Sequence, residues 1–314
     1  MAVFTSVTEA DARAFLGGYD LGDLRALHPI AEGIQNTNYR VETDEGRFVL
    51  TLFEARTDAD VLPFCLGLTA HLAGRGFPAA TPMADREGRW LGRLNGRQAA
   101  VVEWRPGDWL RAPDLQAQAT AGETLARLHV LGADFPEQRA NPLGPAAWRA
   151  LADRCAVAAS GEDRRLLDWA EAALARLGEP ARDLPRGPIH ADFFPDNVLF
   201  EGDRVSGVID FYYGCTDAFA YDLAIALSAW GFDAEGEVQP HAIAAFRRGY
   251  ESVRPLTRAE TEALPLLGEA AALRFTLTRL HDRIFHDPTK LVTPKDPAVF
   301  LRRLDGWRAL EAAA

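Results

Sequence analysis

The chain has little of what would place it in several common classes. Its three cysteines, Cys65, Cys155 and Cys215, lie far apart and never form a Cys-x-x-Cys pair. That spacing excludes a disulfide scaffold and a zinc-ribbon site, and reads as reduced, mostly buried thiols of a cytoplasmic protein. No apolar run reaches the roughly 18 residues that a membrane helix needs, and the N-terminus has neither the basic nor the apolar stretch of a secretion signal. Positive charge is scarce: 34 Lys and Arg stand against 45 Asp and Glu, a net charge of −11. Such a chain offers no uniform basic surface to nucleic acid or anionic lipid, so neither partner is expected. No internal repeat or low-complexity stretch is visible.

What is present is a soluble globular composition, 48% hydrophobic and 25% charged, over 314 residues, which gives room for two domains. The first third is β-rich. Strands are expected over 24–31, 39–43 and 47–54, the last with alternating Phe48, Leu50 and Leu52, and Asp44-Glu45-Gly46 makes a hairpin turn. Thr8 to Asp11 is a plausible helix start. A second helix is expected over 58–75, with Pro63 near its first turn and Gly76 just past its end. Runs 89–94 and 98–104 flank Asn95-Gly96, the strongest short hairpin signal. Near residue 105 the composition changes to Ala- and Leu-rich helices, expected over 114–131, 145–158, 161–177, 217–230, 239–252, 257–285 (interrupted near Pro265) and 296–312. Thr257 and Glu260 form a capping box, and Asp217 suits an N-cap. The class is α+β, with a boundary that splits the chain into 1–104 and 105–314.

One stretch among the helices has another character. Val198–Phe200 and Val205–Ile209 are strand-like runs around the turn Glu201-Gly202-Asp203, which makes them a hairpin and the only β structure expected in this part of the chain. His190, Asp192 and Asn197 precede its first strand and Asp210 ends the second, so pairing would gather all four at one edge. Two carboxylates and an amide oxygen suit a hard, oxygen-ligated cation such as Mg²⁺, with one carboxylate left to accept a proton.

The spacing His-x-Asp-x-x-x-x-Asn resembles the catalytic loop of protein kinases. Ala191 in place of Arg, and Ile209-Asp210-Phe211 in place of Asp-Phe-Gly, resemble the aminoglycoside-phosphotransferase-like branch of small-molecule kinases. Further segments narrow the likeness: Met1 to Thr5, Glu32 to Tyr39, Arg47 to Glu54, Ile209 to Asp217 and Leu273-Arg274-Phe275. Together, over essentially the full length, the chain resembles bacterial homoserine kinases of that superfamily. The resemblance implies a bilobal protein-kinase-like fold, an antiparallel-sheet N-lobe with one helix and a mainly helical C-lobe carrying the catalytic hairpin. It also implies ATP-dependent phosphorylation of the side-chain hydroxyl of L-homoserine, a step of threonine biosynthesis, with Mg²⁺.

In these roles Asp192 is the base, Asn197 and Asp210 hold Mg²⁺, His190 supports the loop, and Asp222, in Asp-Leu-Ala, braces it. Gly33, Asn36, Thr37 and Asn38 stand where a glycine-rich loop covers the phosphates. Backbone groups of Glu103, Trp104 and Arg105 form the hinge against adenine. Arg274 and Arg279, on the expected helix 257–285, and Tyr213 line the acceptor site; Arg279 with Arg283, four apart, could make a guanidinium fork for a carboxylate.

The sequence departs from the general kinase pattern at Thr51, which replaces the phosphate-binding Lys. The helix 58–75 also lacks the Glu that would pair with it, a consistent double loss because a buried Glu without its cation is costly. Other readings stay open. A choline-like amino alcohol would call for an aromatic cage, which Phe211, Tyr212, Tyr213 and Trp230 could build. An aminoglycoside or a sugar is a further acceptor. A nucleotide-binding pseudokinase fits the lost Lys, though not the intact Asp192, Asn197 and Asp210.

Overall fold

The structure, a computed structural model, describes residues 5–30, 36–54, 59–177, 183–286 and 294–312. The chain forms two compact units: residues 1–107 with 206–212, and residues 108–205 with 213–314.

The first unit begins with helix α1 (Glu9–Leu16). Thr8 caps it by accepting from the Asp11 amide at 3.1 Å, while the Asp11 carboxylate accepts from the Thr8 amide at 2.9 Å. Strands β1 (Leu24–Ile30), β2 (Thr37–Thr43), β3 (Arg47–Phe53), β4 (Pro82–Met83), β5 (Gly92–Leu94) and β6 (Arg97–Glu103) build one antiparallel sheet in the order β1-β2-β3-β6-β4, with β5 also on β6. Alternation along β3 splits its side chains between two layers. Phe48, Leu50 and Leu52 join Tyr39, Val41, Val101 and Leu16 on one face, and Phe53 joins Leu62 and Leu66 of helix α2 (Leu62–Ala73) on the other. Asn95 and Gly96 have φ of +48° and +78°, the two left-handed residues of a hairpin turn that matches strand twist.

The second unit contains β7 (Asp108–Trp109), α3 (Leu115–Gly132), α4 (Pro145–Ala156), α5 (Gly161–Leu177), β8 (Arg186–Ile189) and β9 (Val198–Glu201). Strand β10 (Arg204–Val208) follows, and then β11 (Cys215–Ala218), α6 (Phe219–Trp230), α7 (Pro240–Val253), α8 (Arg258–Ile284) and α9 (Ala298–Ala312). Helix α6 is buried almost all round, as its apolar sequence requires. Helices α3 and α7 meet closely because Gly122 and Gly249 face the other helix's backbone: a Cβ at Gly122 would lie 2.0 Å from Phe246 O. That approach sets His129 of α3 beside Tyr250 of α7.

The hairpin β9-β10 turns at Gly202, φ +59°. It is not the only β structure of this part of the chain: β7 pairs with β9, and β8 with β11. Both additions escape a sequence reading because β7 is two residues long and Cys-Thr-Asp-Ala shows no apolar alternation. Asp217 therefore lies in a strand and does not cap α6; its carboxylate accepts from Asn141 Nδ2 at 2.8 Å and from the Ala218 amide at 2.8 Å. Helix α8 runs unbroken through Pro265, held by a long buried face from Leu264 to Leu280.

Candidate active site

The loop between β8 and β9 carries the motif residues. Ala191 sits at φ +61°, a left-handed conformation that costs an alanine about 1–2 kcal/mol. Two amides beside that strain are held by one carboxylate. Asp222, wholly buried on α6, accepts from the His190 amide at 2.8 Å through Oδ2 and from the Ala191 amide at 2.7 Å through Oδ1. Asp222 Oδ2 also lies 3.0 Å from His129 Nε2. Burial alone would raise its pKa, but the bond from His129 and the amide bonds hold it below the usual carboxylate range.

Behind Asp222 runs a chain of buried polar groups with fixed polarity. Arg254 Nη1 donates to the Tyr250 hydroxyl at 3.1 Å, and that hydroxyl is 2.7 Å from His129 Nδ1. Since arginine only donates and Asp222 only accepts, the proton order is Arg254 to Tyr250 to His129 to Asp222, which places the imidazole proton on Nε2. Burial holds the pKa of His129 below its ordinary value, so it stays neutral. Arg254 in turn donates to Glu260 Oε1 at 2.8 Å, and Glu260 closes the capping box of α8 with Thr257. Sequence reasoning marked that capping box but missed His129, Tyr250 and Arg254 as supports of the loop: they come from different helices at no motif spacing.

Asp192, half-buried, follows this braced turn. Its amide donates to His190 Nδ1 at 3.2 Å, while the His190 ring is buried edge-on against Phe193. Asn197 Nδ2 donates to the Asp192 carbonyl at 2.8 Å and to its carboxylate at 3.2 Å. Burial raises the Asp192 pKa above the usual range, opposed by the charges of Arg274, His190 and Lys295. A carboxylate in that state is a better proton acceptor than a solvated one. With its amide hydrogens used on Asp192, Asn197 keeps an amide oxygen for a cation. Asp210, in the first unit, follows β10 at φ +63° and precedes the short 3₁₀ turn Phe211–Tyr213. Among the described residues no three His, Cys, Asp or Glu side chains form a metal cluster. Taken one by one, the amide oxygen of Asn197 and the carboxylate of Asp210 are donor types that suit a hard ion.

In the first unit, Gly33 lies outside the described residues. Asn36 and Thr37 are buried and tied to the end of β3: Asn36 Oδ1 accepts from the Glu54 amide at 3.2 Å, and Thr37 Oγ1 donates to Glu54 Oε1 at 2.8 Å. Asn38 Oδ1 accepts from Thr51 Oγ1 at 2.8 Å, so the residue at the lysine position is bound into the sheet by a neutral hydrogen bond. At the expected hinge, the Glu103 amide donates to Thr81 O and the Trp104 amide to Arg47 O. The Arg105 guanidinium donates to Ser206 O at 2.8 and 2.6 Å, and Arg40 and Arg47 lie over the Trp104 ring.

The arginines of α8 have distinct surroundings. Arg274 is fully buried, donates to Ala191 O at 2.7 Å and lies over the rings of Tyr213 and Phe275. Arg279, half-buried, lies over Phe300 and donates to Asp296 O at 3.2 Å; burial pushes its pKa down to about 10, against the charges of Asp296, Asp192 and Asp196. Arg283 is bound to Asp163 and is 3.6 Å from Asp296, so it makes no fork with Arg279. Its partner Asp163 starts a different helix, which helical spacing alone does not reveal. Lys295 stands 3.9 Å from Asp196 on the loop.

Comparison with known proteins gives the chain's family and fold. The profile of the phosphotransferase enzyme family matches residues 26–256. The homoserine kinase of Brucella anthropi is 46% identical over 100% of this chain and 97% of its own length. That of Gluconobacter oxydans is 48% identical over 97% of both. Among solved structures, an amicoumacin kinase superposes with a TM-score of 0.69 at 14% identity, over 98% of this chain and 96% of its own. A microcompartment-associated aminopropanol kinase gives 0.68 at 21% identity, over 97% of both. At such identities the two structures speak for the fold.

Proposed function

The chain belongs to the phosphotransferase enzyme family, and we propose that within it the protein transfers the γ-phosphoryl group of ATP to the side-chain hydroxyl of L-homoserine. The observation that carries the reaction is Asp192: a half-buried carboxylate of raised pKa, on a loop braced by Asp222, hydrogen-bonded by Asn197. It orients the hydroxyl and takes its proton as the oxygen bonds to the γ-phosphorus and ADP leaves. By the motif's resemblance, Asn197 and Asp210 are the residues that would hold Mg²⁺, which would neutralise phosphate charge. The likeness to homoserine kinases over the whole chain supports the acceptor.

The nucleotide lies along the first unit's sheet, with its phosphates near the start of β2, at Asn36 to Asn38. Among the hinge amides, those of Glu103 and Trp104 are used inside the sheet and Pro106 has none, which leaves the Arg105 amide to meet adenine. Arg279, whose charge is set against carboxylates near the loop, receives the acceptor's carboxylate, beside Tyr213.

A coupled ADP-release assay with ATP and Mg²⁺ tests the reading, with L-homoserine, L-serine, choline, methylthioribose and kanamycin supplied separately. Saturable turnover with L-homoserine alone is expected. Turnover with another acceptor would retire the acceptor assignment and keep Asp192 in its role.

A further inference from the structure

Arg274 was expected, from sequence, to line the acceptor site, yet its side chain is 1% exposed. Arginine is almost never buried to that degree without a specific partner. Its Nη1 donates to the carbonyl of Ala191 at 2.7 Å, and the rings of Phe275 and Tyr213 cover the guanidinium at 4.7 and 5.5 Å. A guanidinium closed in this way cannot offer a diffusing carboxylate the open fork that recognition requires.

The carbonyl it holds is well placed to matter. Ala191 O and the Asp192 amide belong to one rigid peptide plane. Arg274 binds that plane at its oxygen, and His190 Nδ1 binds it at its nitrogen, 3.2 Å away. The preceding peptide is held by Asp222, which takes the Ala191 amide at 2.7 Å. A left-handed alanine is thus fixed on both sides by opposite charges from two helices, anion on the amide and cation on the carbonyl. Nothing in its own conformational preference would keep it there.

We propose that Arg274 is a positioning residue for phosphoryl transfer: it pins the Ala191–Asp192 peptide and so aims the Asp192 carboxylate, without touching the acceptor. The role rests on Asp192 being the proton acceptor of the reaction proposed above. It does not depend on which alcohol is phosphorylated.

The test is steady-state kinetics of the full-length protein and of Arg274→Met and Arg274→Lys, with each substrate varied in turn. A displacement of about 1 Å near the chemistry can cost on the order of 10²-fold. Arg274→Met should therefore lower kcat by about that factor and leave KM for L-homoserine and for ATP within about threefold. Arg274→Lys, which restores a cation and one donor, should recover part of the loss. A KM for L-homoserine raised tens of times with kcat retained would mean that Arg274 binds the acceptor, and would overturn the proposal. So would an unchanged kcat in folded Arg274→Met.

If Arg274→Met does not fold, Arg274→Lys and its double variant with Ala191→Gly carry the test. Both substitutions act on one peptide, so their effects on kcat must be non-additive; additive effects overturn the role. Wild-type protein assayed beside the variants separates the two readings. Wild type silent with L-homoserine but active with another alcohol moves the same comparison to that alcohol. Wild type silent with every alcohol removes the reaction and the role together.

Discussion

The loop from His190 to Asn197 and the β2–β3 pair at Thr51 are held in different ways. The loop is held by charge: Asp222 takes its amides, Arg274 a carbonyl, and Asp222 is itself backed by His129, Tyr250 and Arg254. At the position where kinases keep a lysine, the β2–β3 pair is held by a neutral bond, Thr51 on Asn38; beside it Asn36 and Thr37 bind Glu54, whose carboxylate is also 3.0 Å from Arg97. The difference follows from what each region must resist. A left-handed alanine beside a carboxylate relaxes unless strong, charge-assisted bonds fix it. A residue within a paired strand, as Thr51 is on β3, is already supported by the sheet's register, and an ordinary hydrogen bond of about 0.5–1.5 kcal/mol completes it.

The comparison can be sharpened from its strong end to its weak end. Asp192→Asn should lower kcat by about 10²–10⁴-fold while nucleotide affinity, followed by equilibrium titration, is kept. Asp222→Asn leaves buried donors and the loop's strain without their anion. It should cost about 3–5 kcal/mol in chemical unfolding and reduce turnover in the fraction that folds.

His129→Gln tests the chain behind Asp222 through pH. The folded pKa of His129 lies below its unfolded value near 6.5, so the unfolded chain binds that proton more readily. Stability is therefore full above about pH 6.5 and is lost as the pH falls towards the folded value. The glutamine keeps a donor to Asp222 but cannot titrate, so thermal unfolding between roughly pH 6.5 and 5 should show a shallower loss than in wild type. An identical slope would mean that other groups carry it. Thr51→Val, at the weak end, should cost about 0.5–1.5 kcal/mol in denaturant unfolding and change turnover by only a few-fold. A loss as large as that of Asp222→Asn would erase the contrast.

The sequence was informative where chemistry is local. Alternation placed β2, β3 and β6, Asn95-Gly96 placed a hairpin, and capping residues placed α1 and α8, because each signal sits within a few residues of its effect. The motif likewise placed Asp192 and Asn197, whose hydrogen bond closes over five residues of chain. What stayed hidden depends on distant partners. Arg274 and Arg279 occupy one helix, and no spacing rule separates a cation sealed under two rings from one that is half-exposed. Tyr250 and His129 meet only because Gly122 and Gly249 let two helices approach, and they lie 121 positions apart. Asp217 looks like an N-cap in sequence because its strand is too short to announce itself.

The most direct test of the central claim is to follow the product itself by ³¹P NMR, with ATP, Mg²⁺ and L-homoserine, using wild type and Asp192→Asn. A new phosphomonoester resonance, split by the adjoining methylene protons and growing with ADP, is expected with wild type and should be slowed at least 10²-fold in the variant. Inorganic phosphate as the only product, or equal rates with both proteins, would contradict the account.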